Sequence, residues 1–170
     1  MSQSIFMAIV GGGHCGKSSF AKTLKELLQA KLPEGEVCLI EESDYLETTE
    51  STIESKEYNY TQLAADLGKH KEKVVIVEGF YLLSRPETRL KFNESLFIEL
   101  SEEERFDRKL KAQSGQNKSA LDIYKEFYGL DKPLYDRFIA PSKVHAKKVI
   151  HAQDFIRELN KFAELILKLV

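Results

Sequence analysis

The 170-residue chain has few cysteines, no large excess of charge of either sign, no internal repeat, no low-complexity tract and no long apolar run. Each shortage excludes something. Cys15 and Cys38, the only two cysteines, match neither a disulfide framework nor a zinc spacing. Cys38 reads as a small apolar strand residue. A formal charge of −2 and a pI of about 6.1 leave no broad basic surface for nucleic acid. No apolar stretch approaches the roughly 18 residues a membrane helix needs, and the opening residues carry no charged segment followed by a cleavage site. The expectation is a cytoplasmic, soluble protein with neither nucleic-acid nor membrane partners, and a length that suits a single domain, residues 1–170. His14, His70, His145 and His151 show no metal-ligand spacing, and no N-K-x-D base-reading element of a GTPase occurs.

What the chain does have is Gly11 to Ser18, Gly-Gly-Gly-His-Cys-Gly-Lys-Ser, a fit to the phosphate-cradling pattern G-x-x-x-x-G-K-[ST]. In this reading Gly11, Gly12, Gly13 and Gly16 let the backbone turn with positive φ. Amides from Gly13 through His14, Cys15, Gly16 and Lys17 to Ser19 then point at phosphate oxygens. Lys17 reaches the β- and γ-phosphates, and the Ser18 hydroxyl holds Mg²⁺. The apolar run Ile5 to Val10 precedes the motif, and Phe20, Leu24, Leu27, Leu28 and Leu32 follow it at helical spacing. Strand, loop and helix N-terminus are thus all in place. Cys15 sits near that N-terminus, a position that can lower a thiol pKa and sensitise it to oxidation, against the plainer reading of an inert loop thiol.

Further along, Pro33-Glu-Gly35 ends the first helix near Leu32, and Val37 to Ile40 reads as a short buried strand. Glu41-Glu42-Ser43-Asp44-Tyr45 then places acids just past a strand's carboxyl end, where open α/β sheets bind ligands, unless this is only a solvated loop. Residues 47–59 are polar and read as a mobile loop, with a helix from Tyr60 to Lys69 after it. Val74 to Gly79 is a continuous apolar run suited to a strand buried on both faces. Its terminal Glu78 is either a Mg²⁺ or active-site acid or a solvated strand end. A strand is expected at Leu96 to Leu100 and a capping box at Ser101-Glu102-Glu103-Glu104. The helix it starts carries Arg105, Arg108, Lys109 and Lys111, bases that serve a site or merely answer the helix dipole. Residues 113–118 break that helix, and Ser119 with Asp122 cap the next. Val149-Ile150 forms a last strand, followed by an amphipathic helix of Phe155, Leu159, Phe162, Ile166 and Leu169 led by the N-cap Asp154. Strands alternating with helices imply an α/β fold around a parallel sheet.

The P-loop, the acids after the second strand, Val75-Ile76-Val77-Glu78-Gly79-Phe80 with Leu82-Leu83, and Lys132-Pro133 with Phe138, Pro141, Lys143, Ala146 and Val149-Ile150 together resemble the uridine kinase and nicotinamide riboside kinase family of nucleoside kinases. The resemblance covers most of the chain. It implies a three-layer P-loop sandwich with a five-stranded parallel sheet in the order 2-3-1-4-5 and a helical lid over approximately residues 101–128. It implies ATP and Mg²⁺ as cofactors, a small-molecule acceptor, and transfer of phosphate to the 5′-hydroxyl of a ribonucleoside or to a related alcohol; a homo-oligomer is compatible with it. Arg105, Arg108 and Lys109 match the family's basic lid positions, with Arg105 and Arg108 placed on the transferring group and Lys109 on the nucleotide. The family's following Arg-Asp pair falls on Ala112 and Gln113. Its base, the Asp of Q-D-[SD]-F-[YF], falls on Ser43, which leaves Asp44 one residue later, Glu42, or a protein that binds nucleotide without phosphotransfer; the expectation settles on Asp44. The family's N-x-D-x-P segment is only loosely echoed by Tyr58-Asn59-Tyr60, and Tyr45, Tyr58 and Glu78 complete the expected acceptor contacts.

Overall fold

The computed structural model describes residues 4–47 and 57–170. Most of the loop expected at 47–59 therefore lies outside the described residues. Five strands, β1 (Ile5–Gly11), β2 (Val37–Glu41), β3 (Val74–Gly79), β4 (Glu94–Glu99) and β5 (Lys148–His151), form one sheet in the order β2-β3-β1-β4-β5. All four pairings are parallel. Every strand therefore delivers its carboxyl end to the same edge. Ile9 pairs with Glu78 and Glu41 also pairs with Glu78, so the P-loop, the β2 acids and the β3 acid emerge side by side.

The central strands are buried on both faces, which is why they read as unbroken apolar runs. From β1, Met7 and Ile9 join Phe20, Leu24 and Leu28 of α1 (Lys17–Gln29) and Leu159, Phe162 and Ile166 of α7 (Phe155–Leu169). Ala8 and Val10 point the opposite way and pack with Leu63 and Leu67 of α2 (Tyr60–Leu67), Leu82, Leu83, Phe97 and Ile139. Each fully buried side chain of this size contributes about 1.5–3 kcal/mol. Helices thus cover both faces of the sheet.

A short α3 (Pro86–Arg89), absent from the periodicity, starts on Pro86. Next, α4 (Glu102–Gln113) begins with the full expected capping box: Ser101 Oγ accepts from the Glu104 amide at 3.2 Å, and the Glu104 carboxylate accepts from the Ser101 amide. Ser119 Oγ caps α5 (Ala120–Glu126) by accepting from the Asp122 amide at 3.1 Å. Asp154 corrects an expectation. It holds the N-cap position of α7 but caps nothing, its carboxylate being taken by Arg157 at 3.1 Å.

Between α5 and β5 the chain stays helical where periodicity gave no element. Widened turns at Phe127–Asp131 and Tyr135–Ile139 flank α6 (Lys132–Leu134), and a tight turn covers Ala140–His145. Pro133 and Pro141 sit in the opening positions of two of these pieces. A proline lacks the N–H of a regular helical bond, and widened turns absorb that loss. The result brings Phe127, Leu134, Tyr135 and Ile139 over the P-loop.

Candidate active site

The loop glycines work differently from the expectation. Only Gly16 has positive φ, at 93°, and the second left-handed residue is His14 at 61°. A non-glycine there costs roughly 1–2 kcal/mol; the His14 carbonyl accepts from Arg108 Nη1 at 3.3 Å, which ties the strained turn to α4. Gly11 and Gly12 are required by close approach instead. A Cβ at Gly11 would stand 2.5 Å from Cys15 Sγ and 2.7 Å from the Ile98 carbonyl, and one at Gly12 would stand 2.9 Å from the Tyr135 ring. Gly13 faces open space. Gly16 offers α1 no side-chain cap, so the first helical amides remain free for an anion. Cys15 turns its sulfur into the core, where burial pushes the thiol pKa up, in keeping with the plainer reading of an inert thiol; its contribution to a ligand is confined to its backbone.

At the start of α1, Ser18 Oγ donates to Glu78 Oε1 at 2.7 Å. One hydroxyl and one carboxylate, both hard oxygen donors, are a suitable pair for Mg²⁺. Glu78 is 7% exposed, and Lys17, also buried, lays its ammonium 3.7 Å from the centre of the Phe80 ring. Lys17, Ser18 and Glu78 are thus gathered in one place.

Glu42 is the acid that sequence reading sets behind Asp44. It is 2% exposed, beneath the β3 exit. Phe80 N–H donates to its Oε2 at 2.6 Å, Tyr81 N–H donates to both oxygens, and the Tyr60 hydroxyl donates to Oε1 at 3.1 Å. Burial pushes its pKa up to about 7 against these donors and the charge of Lys17. Asp44 lies two residues on, exposed, in the tight turn Glu42–Tyr45. Ser43 is exposed beside it.

Two hollows meet at His14. A cleft of about 410 Å³ is lined by His14, Gly16, Lys17, Ser18, Ser19 and Arg108. A narrower pocket of about 180 Å³ is lined by Phe80, Tyr81, Arg105, Phe127 and Tyr135, with Lys109 and Asp131. The structure therefore parts the two arginines expected at a lid between different hollows. Lys109 is buried and paired with Glu126 at 2.7 Å and with Asp131. Burial opposes its charge, but these hydrogen bonds outweigh it and raise its pKa.

The expected aromatic contacts also separate. Tyr58 stays close, its ring 5.8 Å from those of Tyr60 and Tyr81. Tyr45 turns aside, donating its hydroxyl to Asp66 at 3.1 Å, and borders a cleft of about 600 Å³ with Glu34, Glu36 and His70. That cleft contains neither P-loop residues nor Glu78. Sequence reading missed Phe80, Tyr81, Phe127 and Tyr135 as pocket walls; their only signal was aromatic content near the resemblance motifs. It also missed the convergence of Cys38 of β2 with His70 and Glu72 of the α2–β3 connection, whose ligating atoms lie within 4.8 Å of one another.

No protein-family model matches the chain. A uridine kinase from Vibrio atlanticus is 22% identical over 186 residues, which span 88% of this chain and 87% of that protein. A uridine kinase from Haemophilus ducreyi is 25% identical over 183 residues, 86% of this chain and 84% of that one. Among solved structures, a shikimate kinase from Bacteroides thetaiotaomicron superposes with a TM-score of 0.61 at 15% identity, over 95% of this chain and 98% of its own. No helix among the described residues is long and apolar enough to cross a membrane. In fold the chain is similar to that shikimate kinase, around a parallel sheet in the order 2-3-1-4-5, and in sequence it is similar to uridine kinases along most of its length.

Proposed function

We propose that the chain transfers the γ-phosphoryl group of ATP to a hydroxyl of a small molecule, in the reading nearest its uridine kinase relatives the 5′-hydroxyl of a ribonucleoside. The observation that carries this is the convergence of Lys17, Ser18 and Glu78 at the open N-terminus of α1. The acceptor oxygen forms a bond to the γ-phosphorus, the bond to the β-γ bridging oxygen breaks, and ADP leaves. Such a reaction asks the protein mainly for positioning and charge stabilisation. Mg²⁺, held by Ser18 and Glu78, neutralises phosphate charge when bound. Loop amides from Gly13 to Ser19 and the α1 N-terminus orient the phosphates, and Lys17 leaves the Phe80 face to meet them. Arg108, in the same cleft as Lys17, stabilises the transferring group.

Asp44 takes the acceptor proton. Glu42 is unsuited to that role because three donors already occupy its oxygens; it positions Phe80 and Tyr81 instead. Tyr58 and Tyr81 offer faces on which a ring can stack.

The test is ADP release by purified protein with ATP and Mg²⁺ across uridine, cytidine, nicotinamide riboside and unrelated alcohols. Mg²⁺-dependent turnover that requires an acceptor is expected. ATP binding without turnover on any acceptor would favour a regulatory nucleotide-binding protein.

A further inference from the structure

Arg105 is 4% exposed, yet no carboxylate lies within ion-pair distance of it among the described residues. Its Nε is buried without a hydrogen-bond partner. The faces of the guanidinium are well used: Cζ lies 3.6 Å from the centre of the Tyr135 ring and 5.8 Å from that of Phe127. A guanidinium keeps its donors in its own plane, so stacking leaves the edge free. A buried cation with an empty edge is costly unless an anion completes it, and a planar oxyanion fits such an edge with two parallel hydrogen bonds.

The surroundings indicate which anion. Arg105 lines the 180 Å³ pocket, whereas Arg108 lines the P-loop cleft with Lys17 and Ser18. The other cation of the pocket, Lys109, is already matched by Glu126 and Asp131. On its outer side Arg105 borders a second cleft with Glu99, Glu102 and Glu104, none close enough to pair with it. One positive charge in the aromatic pocket is therefore unanswered; it lies beside the P-loop residues Gly12 and Gly13 but outside the cleft that Lys17, Ser18 and Arg108 line.

We propose that the acceptor is itself an anion, an alcohol bearing a carboxylate or phosphate that the free edge of Arg105 holds. This rests on the kinase reading and narrows it: a ribonucleoside qualifies only if its base carries an acid. The acid takes no part in bond making; it fixes the molecule so that its hydroxyl receives the phosphoryl group.

Matched pairs test it: nicotinic acid riboside against nicotinamide riboside, glycerate against glycerol, and glycerol 3-phosphate as the phosphate arm, each with ATP and Mg²⁺. At least one acid is expected to exceed its neutral partner in kcat/KM by about tenfold or more. Arg105→Met, which keeps the apolar stem, is expected to raise KM for that acid about tenfold or more with KM for ATP within about twofold, and Arg105→Lys to fall between. If no probe turns over, calorimetry with ADP and Mg²⁺ decides: acids that bind wild type, but not Arg105→Met, support the proposal, and acids that bind no better than their neutral partners overturn it. Turnover of neutral alcohols in preference to acids, or a loss in Arg105→Met confined to ATP, overturns it while leaving the kinase reading intact. A protein that binds no ATP loses both.

Discussion

Ser18 and Glu78, sixty positions apart in sequence, meet across the P-loop with Oγ 2.7 Å from Oε1. The contact exists because β1 and β3 are adjacent and in register, Ile9 opposite Glu78, so that the start of α1 overhangs the end of β3. If the pair holds Mg²⁺, Glu78→Gln is expected to raise the Mg²⁺ concentration for half-maximal activity about 10–100-fold, within the range seen when metal-site partners are lost. A titration of activity against Mg²⁺ at saturating ATP checks this, and an unchanged midpoint would remove Glu78 from the metal site.

Lys17 is available for phosphate because no carboxylate pairs with it among the described residues; its ammonium rests on the Phe80 ring. Lys17→Ala is expected to lower kcat by roughly 10²–10³-fold, as when one preorganised charge-stabilising donor is removed. The fold loses only a cation–π contact of about 0.5–2 kcal/mol. Initial rates beside a thermal melt separate the two effects, and full turnover in a folded Lys17→Ala protein would defeat the P-loop assignment.

The strands and the longer helices were legible because their signals are local. The run Val74 to Gly79 needs both faces buried, and the Ser101 capping box is written in four consecutive residues. The P-loop's position was legible for the same reason, but the work of its glycines was not: the need for Gly11 comes from Ile98 and Cys15, and that for Gly12 from Tyr135, contacts set by tertiary packing. The aromatic walls of the pocket were illegible, although Gly13, His14, Arg105 and Lys109, which also line it, were expected at the site. Phe127 and Tyr135 lie eight positions apart, and the widened turns that bring both against Arg105 follow neither a 3.6-residue nor a two-residue period. Sequence reading prefers Asp44 to Glu42 on register alone, because the burial that distinguishes the two is set by tertiary packing.

That distinction sets a kinetic expectation. Asp44→Asn is expected to lower kcat about 10²–10⁴-fold, the usual contribution of a general base, with KM for ATP little changed. Glu42→Gln keeps a group of the same shape beneath the Phe80 and Tyr81 amides and is expected to retain most of kcat. The reverse ordering of the two variants would make Glu42 the base.

Gly79 closes on Glu42 so tightly that a Cβ there would stand 2.5 Å from Glu42 Cβ and 2.6 Å from Oε2. Gly79→Ala must push the carboxylate off the Phe80 and Tyr81 amides. Overpacking of this kind costs about 1–3 kcal/mol, read as a lower urea midpoint, and an unchanged midpoint would mean that the β3 exit is softer than its packing implies.

Glu42 also makes stability depend on pH in a definite direction. Burial raises its pKa from 4.5 to about 7, so the folded state holds a proton that the unfolded chain releases earlier. The stability this contributes is fully present below pH 4.5 and is lost as pH rises through about 7. A shift of that size corresponds to about 3 kcal/mol. Glu158, held down to about 2 chiefly by its hydrogen bond from Lys148, acts oppositely and in another window: its contribution is present above pH 4.5 and lost as pH falls toward 2. Urea unfolding between about pH 5 and about pH 8 therefore isolates Glu42 from Glu158. Wild type is expected to lose stability across that range relative to Glu42→Gln, whose amide cannot ionise but can accept from Phe80 and Tyr81 and donate to the Tyr60 oxygen. Parallel pH profiles for the two proteins would mean that the hydrogen bonds donated to Glu42 outweigh its burial, and that it stays ionised throughout.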